Sequence, residues 1–175
     1  AGSKVSSKLS VLTHLVTKVD TLIVGGGIAN TFLLAAGAHI GVSLAEPGLV
    51  GEAQGILETF PGKVPMPVDV VVAKELSPTA TPALKAIADV AVDDMILDIG
   101  PKTVLALEAI IGHAGTIVCN GPIGVFEIHA VGQGTRALAL AIPGPRGFPV
   151  PARGAPRPAI PPYRRGAHPR PLVPP

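Results

Sequence analysis

The stretch Asn120-Gly121-Pro122-Ile123-Gly124-Val125-Phe126-Glu127 gathers the side chains of this 175-residue chain that could do the most chemistry. Asn120 can donate and accept hydrogen bonds, whereas Glu127 only accepts and suits paired hydroxyls such as those of a ribose. Gly121 and Gly124 let a backbone come close to a ligand, and Pro122 stiffens the turn. The apolar run before them, Gly115-Thr116-Ile117-Val118-Cys119, reads as a buried parallel strand. In an open α/β sheet ligands sit beyond the strand ends, which is where this stretch would lie. The plain alternative is a tight strand-to-helix turn with no ligand.

Two lysines come next. Lys4 and Lys8 are four residues apart at the start of a helical pattern, on one face. Like charges at that spacing repel, and cations oppose the dipole at a helix start, so an anion nearby would relieve both effects. The alternative is that both are solvated, as surface lysines usually are. A third candidate is Gly25-Gly26-Gly27, at the end of the apolar run Thr21–Val24. It is not the dinucleotide-binding fingerprint, because Asn30 stands where the third glycine belongs; such glycines also serve close helix packing. The five histidines are scattered without metal-ligand spacing, so no metal site is expected. Lys74-Glu75 and Asp93-Asp94 read as solvated charges, and His129 as a surface histidine.

The elements that would position these residues follow from periodicity. Val5, Leu9, Leu12 and Val16 recur at helical spacing and predict a helix over Val5–Lys18. Further helices are predicted over 29–36, 49–60, 102–114 and from Gly134 to Ile142, with a loop and short helix over 81–91. Four strands are predicted near 21–24, 68–73, 95–99 and 115–119, the second from its β-branched run. Strands alternating with helices imply a parallel, doubly wound α/β sheet.

Composition divides the chain unevenly. Twelve of the 20 prolines and six arginines fall in 143–175, which holds no acidic residue. Residues 1–142 carry eight Lys/Arg against 12 Asp/Glu, a formal charge of −4, so the basic character belongs to the tail alone. Cys119 is the single cysteine and excludes an internal disulfide, which fits a reducing compartment. The first 18 residues lack the apolar core of a secretory signal, and the longest apolar runs fall short of a membrane span. Basic residues are not interleaved with aromatics, so no single-stranded nucleic-acid platform is indicated.

Five of these stretches together resemble phosphoglycerate kinase: Gly2-Ser3-Lys4-Val5-Ser6-Ser7-Lys8-Leu9, Gly25-Gly26-Gly27-Ile28-Ala29-Asn30-Thr31-Phe32, Leu97-Asp98-Ile99-Gly100-Pro101, Asn120–Glu127 and Gly134-Thr135. They occur in the family's order and at about its spacing, from about Gly2 to Ile142. The resemblance covers part of that enzyme's nucleotide-binding domain. It implies an α/β fold, an incomplete doubly wound parallel (Rossmann-like) sheet with helices on both faces. It implies reversible phosphoryl transfer between ATP and 3-phosphoglycerate in glycolysis, in the cytoplasm, by a monomer, with ATP/ADP and Mg2+. By motif, Lys4 would neutralise the transferred phosphoryl group and Lys8 the nucleotide phosphates. Asn120 would contact phosphate and Glu127 the ribose hydroxyls. Gly25 and Gly26, with the backbone near Ile96, would face adenine. Ser3 stands where the family commonly has Ala, Cys119 where it has Trp, and Ile96 where some members have Gly, which crowds the base.

The resemblance stops after Ile142. Two parts are therefore expected: a partial nucleotide-binding domain over 1–142 and a disordered tail over 143–175, whose composition cannot bury enough apolar surface to offset ordering entropy. Out-of-frame translation, or translation past a break, would give such a GC-rich-codon composition; a basic Pro-rich interaction tail is the alternative. The resembled domain also implies strands before Lys4 and after Ile142, and a Gly-Gly-Gly-Asp-Thr stretch at a helix start that grips phosphates and magnesium. The 175 residues contain none of these, nor a 3-phosphoglycerate site. The expectation is a kinase piece inactive by itself; the other reading is a non-catalytic nucleotide-binding remnant or a gene-fragment product without a role.

Overall fold

The computed structural model describes residues 6–128 and 130–142. Lys4, His129 and the tail over 143–175 lie outside the described residues, as does the expectation of disorder in that tail.

Five helices form close to where periodicity places them: α1 Ser6–Val16, α2 Gly27–Ala35, α3 Val50–Thr59, α4 Pro101–His113 and α5 Gln133–Ala141. α3 is led in by a 3-10 turn over Pro47–Leu49, with proline at its first position, where no backbone N–H is missed. Pro101 opens α4 in the same way. α1 ends under Lys63, whose Nζ donates to the carbonyls of Val16 at 3.1 Å and Val19 at 2.9 Å. A cation there satisfies terminal carbonyls and suits the negative end of the helix.

The strands differ from expectation. β1 Asp69–Ala73 and β3 Met95–Ile99 form as predicted, and within 81–91, where a loop and short helix were expected, a third strand, β2 Ala83–Ala86, precedes a one-turn 3-10 helix over Ile87–Asp89. Ala, Leu and Lys are good helix formers, but here hairpin pairing overrides propensity. The sheet order is β2-β1-β3 and both pairings are antiparallel, Val70 opposite Lys85 on one side and opposite Ile99 on the other. The connections suit this direction: the link from β1 to β2 is short, and the stretch between β1 and β3 holds β2 and a one-turn 3-10 helix rather than the α-helical crossover usual between parallel strands. Segments 21–24 and 115–119, expected as strands, join no ladder among the described residues. The doubly wound sheet is thus only partly present.

Its layering is nevertheless visible at 21–24. Leu22 and Val24 pack with Val16, Ile28, Phe32 and Ile56 of α1, α2 and α3, while Ile23 packs with Val104, Leu107 and Leu138 of α4 and α5. Alternate side chains of one segment meet helices on opposite faces, as a two-sided sheet requires.

Candidate functional site

Three chain segments end side by side. Segment 21–24 runs into Gly25-Gly26, β3 runs into Gly100, and 115–119 runs into the 120–127 loop. A shallow cleft between them is lined by Gly25, Gly26, Asn30, Ile96, Asp98 and Ile123, among others, and holds about 30 Å³ of water-accessible space. That is room for one or two waters.

The glycine turn and the loop are packed backbone to backbone. Gly26 N donates to Ile123 O at 2.6 Å. A side chain on Gly25 would put its Cβ 2.6 Å from that same oxygen and 2.7 Å from Ile123 Cα. The packing explanation for these glycines therefore holds alongside any ligand-binding one. Ile96 is fixed from behind: its N–H donates to Ser43 Oγ at 2.8 Å, and Ser43 in turn donates to Ile40 O. Asn30 reaches away to Leu44 O at 3.0 Å.

Behind the cleft, two aspartates perform the same task on two helices. Asp69, at the start of β1, accepts from Lys102 N at 3.0 Å and Thr103 N at 2.7 Å, capping α4. Asp98, on β3, accepts from Thr135 N at 2.9 Å, capping α5. Each aspartate also accepts its threonine's hydroxyl at 2.7 Å. Burial pushes both carboxyls up. At Asp69 the bonds from Thr103 and Lys102 outweigh burial and leave the carboxyl below its ordinary value of 3.8; at Asp98 burial wins and it stays above. Burial likewise raises the Cys119 thiol.

Of the residues that the sequence singles out, Gly25, Gly26 and Ile96 converge on the cleft. Asn120 and Glu127 stand at the two ends of the loop that Ile123 presses into it; both are exposed and neither lines it. Lys8 falls within α1, with its side chain outside the description. Asp98 and Thr135 carry no chemical role in the sequence reading. The faint signal for them is a threonine at the third position of a helix, where a capping carboxylate can take its N–H. Asp94 corrects an expectation: far from being solvated, its side chain is 1% exposed and lies between Lys74 and Lys85. Its neighbour Asp93 is exposed as expected, 2.5 Å from Lys74. Among the described residues no three His, Cys, Asp or Glu side chains gather as they would to hold a metal. No helix among them is long and apolar enough to cross a membrane.

The family model described as phosphoglycerate kinase matches residues 1–147. The structure superposes on that of phosphoglycerate kinase from Coxiella burnetii with a TM-score of 0.78 and 53% identity, covering 81% of this chain and 37% of that one. With phosphoglycerate kinase from Pyrococcus horikoshii OT3 the TM-score is 0.72 and the identity 28%, over 86% of this chain and 39% of that one. The chain thus matches well under half the length of either enzyme.

Proposed function

The chain belongs to the phosphoglycerate kinase family, and from that premise we propose that the surface around this cleft, rather than its small interior, belongs to the nucleotide site of that enzyme. The observation carrying this reading is the meeting of the Gly25-Gly26 turn, β3 at Ile96 and the 120–127 loop at one place, although they are far apart in sequence. Gly25, Gly26 and Ile96 would take the adenine and Glu127 the ribose hydroxyls. Asn120 and Lys8 would take the phosphates, and Lys4 the transferred phosphoryl group. The reaction of the family, phosphoryl transfer between ATP and 3-phosphoglycerate, depends on positioning and charge neutralisation rather than covalent chemistry by the protein. Magnesium would arrive with the nucleotide phosphates. A cytoplasmic, glycolytic setting goes with this reading.

By itself the 175-residue chain is proposed to bind nucleotide weakly and to turn over nothing, because positioning the second substrate needs groups that these residues do not supply. Calorimetric titration with ADP should give a Kd near the millimolar range, about −4 kcal/mol. Lys8→Ala and Glu127→Ala should each weaken it. Micromolar binding indifferent to Lys8→Ala would place the nucleotide elsewhere. Conversion of 3-phosphoglycerate by the purified chain would end the claim of inactivity.

A further inference from the structure

The loop over 120–127 is tied down at three consecutive residues. Ile123 O accepts from Gly26 N, Val125 N donates to Leu97 O at 2.8 Å, and between them Gly124 N donates to Thr135 Oγ1 at 2.7 Å. The first two are backbone contacts; the third is made by a side chain. A hydroxyl has one proton, and that of Thr135 lies on Asp98 Oδ1 at 2.7 Å, which leaves the oxygen's lone pairs to face Gly124. Asp98 is 2% exposed and Thr135 7%, so water competes for neither bond. Space is equally constrained: a Cβ on Gly124 would collide with Asp98 Oδ1 and with Leu97 O.

We propose that Asp98 and Thr135 are positioning residues of this site: together they fix the backbone at Gly124, and through it the placement of Asn120 and Glu127. The proposal rests on the nucleotide reading for what the loop does, but not for how the loop is held. The other aspartate–threonine pair supplies a comparison within the same molecule. Thr103 Oγ1 also donates to its aspartate, whose carboxylate caps α4, but it accepts from Val68 N at 3.0 Å and Asp69 N at 3.1 Å, at the start of β1. The chemistry is the same, and only the Thr135 pair reaches the loop.

Thr135→Val and Thr103→Val each replace a hydroxyl by a methyl of nearly the same shape. Two quantities are read on the 175-residue chain: amide hydrogen exchange at Gly124 and calorimetric titration with ADP, with urea unfolding to record stability. Both variants should lose stability to a similar extent. Only Thr135→Val should speed exchange at Gly124, by about tenfold or more, and weaken ADP by about tenfold, while Thr135→Ser restores both. Should Thr135→Val fail to fold, Asp98→Asn goes through the same measurements and should loosen Gly124 in the same direction. Unchanged exchange at Gly124, or equal changes in Thr103→Val, overturns the positioning role. ADP binding that ignores a loosened loop also overturns it. If the wild type binds no ADP while Gly124 is loosened in Thr135→Val alone, the nucleotide reading falls and the holding of the loop stands.

Discussion

Burial and charge meet at Asp94, whose carboxylate accepts from Lys85 Nζ at 2.6 Å, Lys74 Nζ at 2.9 Å and Ala91 N at 2.7 Å. Those hydrogen bonds, from Lys85 first, hold its carboxyl well below the ordinary 3.8. A carboxyl depressed in this way stabilises the fold above pH 3.8, and the contribution is lost as pH falls toward its native value. Asp94→Asn should therefore cost on the order of 1 kcal/mol at pH 7, because an amide meets these donors less well than the buried carboxylate while the partly exposed lysines can turn to water. The gap to wild type in urea unfolding should narrow once pH drops below about 3.8. Asp98 has the opposite sign: its raised carboxyl opposes folding as pH climbs through and above 3.8, so acid does not unfold the protein through that group. A second test concerns Gly25. Alanine there would drive a methyl into the Ile123 backbone, and overpacking of that kind costs about 1–3 kcal/mol. A Gly25→Ala protein with an unchanged urea midpoint would mean that the loop yields freely. Sequence marks Gly25 because a glycine run at the end of an apolar stretch leaves a pattern, and it marks Ile96 only through the family resemblance. It marks Asp94 and Asp98 poorly, since what sets them apart is burial beside particular donors, two of which, Lys74 and Thr135, stand 20 and 37 residues away in sequence.

At the scale of elements, helices were legible because each shows its own period. α1, α3 and α4 begin and end within a residue or two of where the pattern puts them, and Pro101 marks one start outright. Strand pairing was not legible, because β1 in isolation reads the same whether its partners run parallel or antiparallel. The decisive fact is β2, whose Ala-Leu-Lys-Ala sequence carries no strand signal and whose four residues are mostly exposed. The twin caps allow an element-level prediction. Thr103 joins α4 to β1 through the N–H and hydroxyl bonds at Asp69, and Thr103→Val removes the hydroxyl's share. A loss of about 1–2 kcal/mol is expected, the usual cost of leaving buried hydrogen-bond partners unmet while the carboxylate cap stays, read as a lower urea midpoint with an unchanged slope. A changed slope would mean that β1 and α4 separate before the rest unfolds.

For the whole molecule the question is how much of its surface is settled. Segment 115–119 lies outside any ladder among the described residues and is mostly exposed, so its backbone is open to other chains, whereas 21–24 is largely buried and Leu22 N donates to Lys63 O at 2.8 Å. Large apolar side chains also stand exposed: Val118 in that segment at 69%, Leu105 on α4 at 66% and Leu140 on α5 at 70%. Single exposed apolar residues are ordinary, but together with open backbone they favour association. The core itself is divided, with α1–α3 packed on one face of 21–24 and α4–α5 on the other, so one short segment carries the connection between two apolar clusters. Replacing Ile23 by Ala should weaken that connection by about 2–4 kcal/mol, a large share of a typical total of about 5–15 kcal/mol. The wild-type chain should unfold below about 65 °C, with light scattering that rises with protein concentration. Val118→Lys, which places a charge on this exposed segment, should reduce that scattering while leaving the unfolding midpoint at low concentration nearly unchanged. A sharp, reversible transition well above 65 °C, or scattering indifferent to Val118→Lys, would show that segment 115–119 is protected in a way its exposure does not suggest.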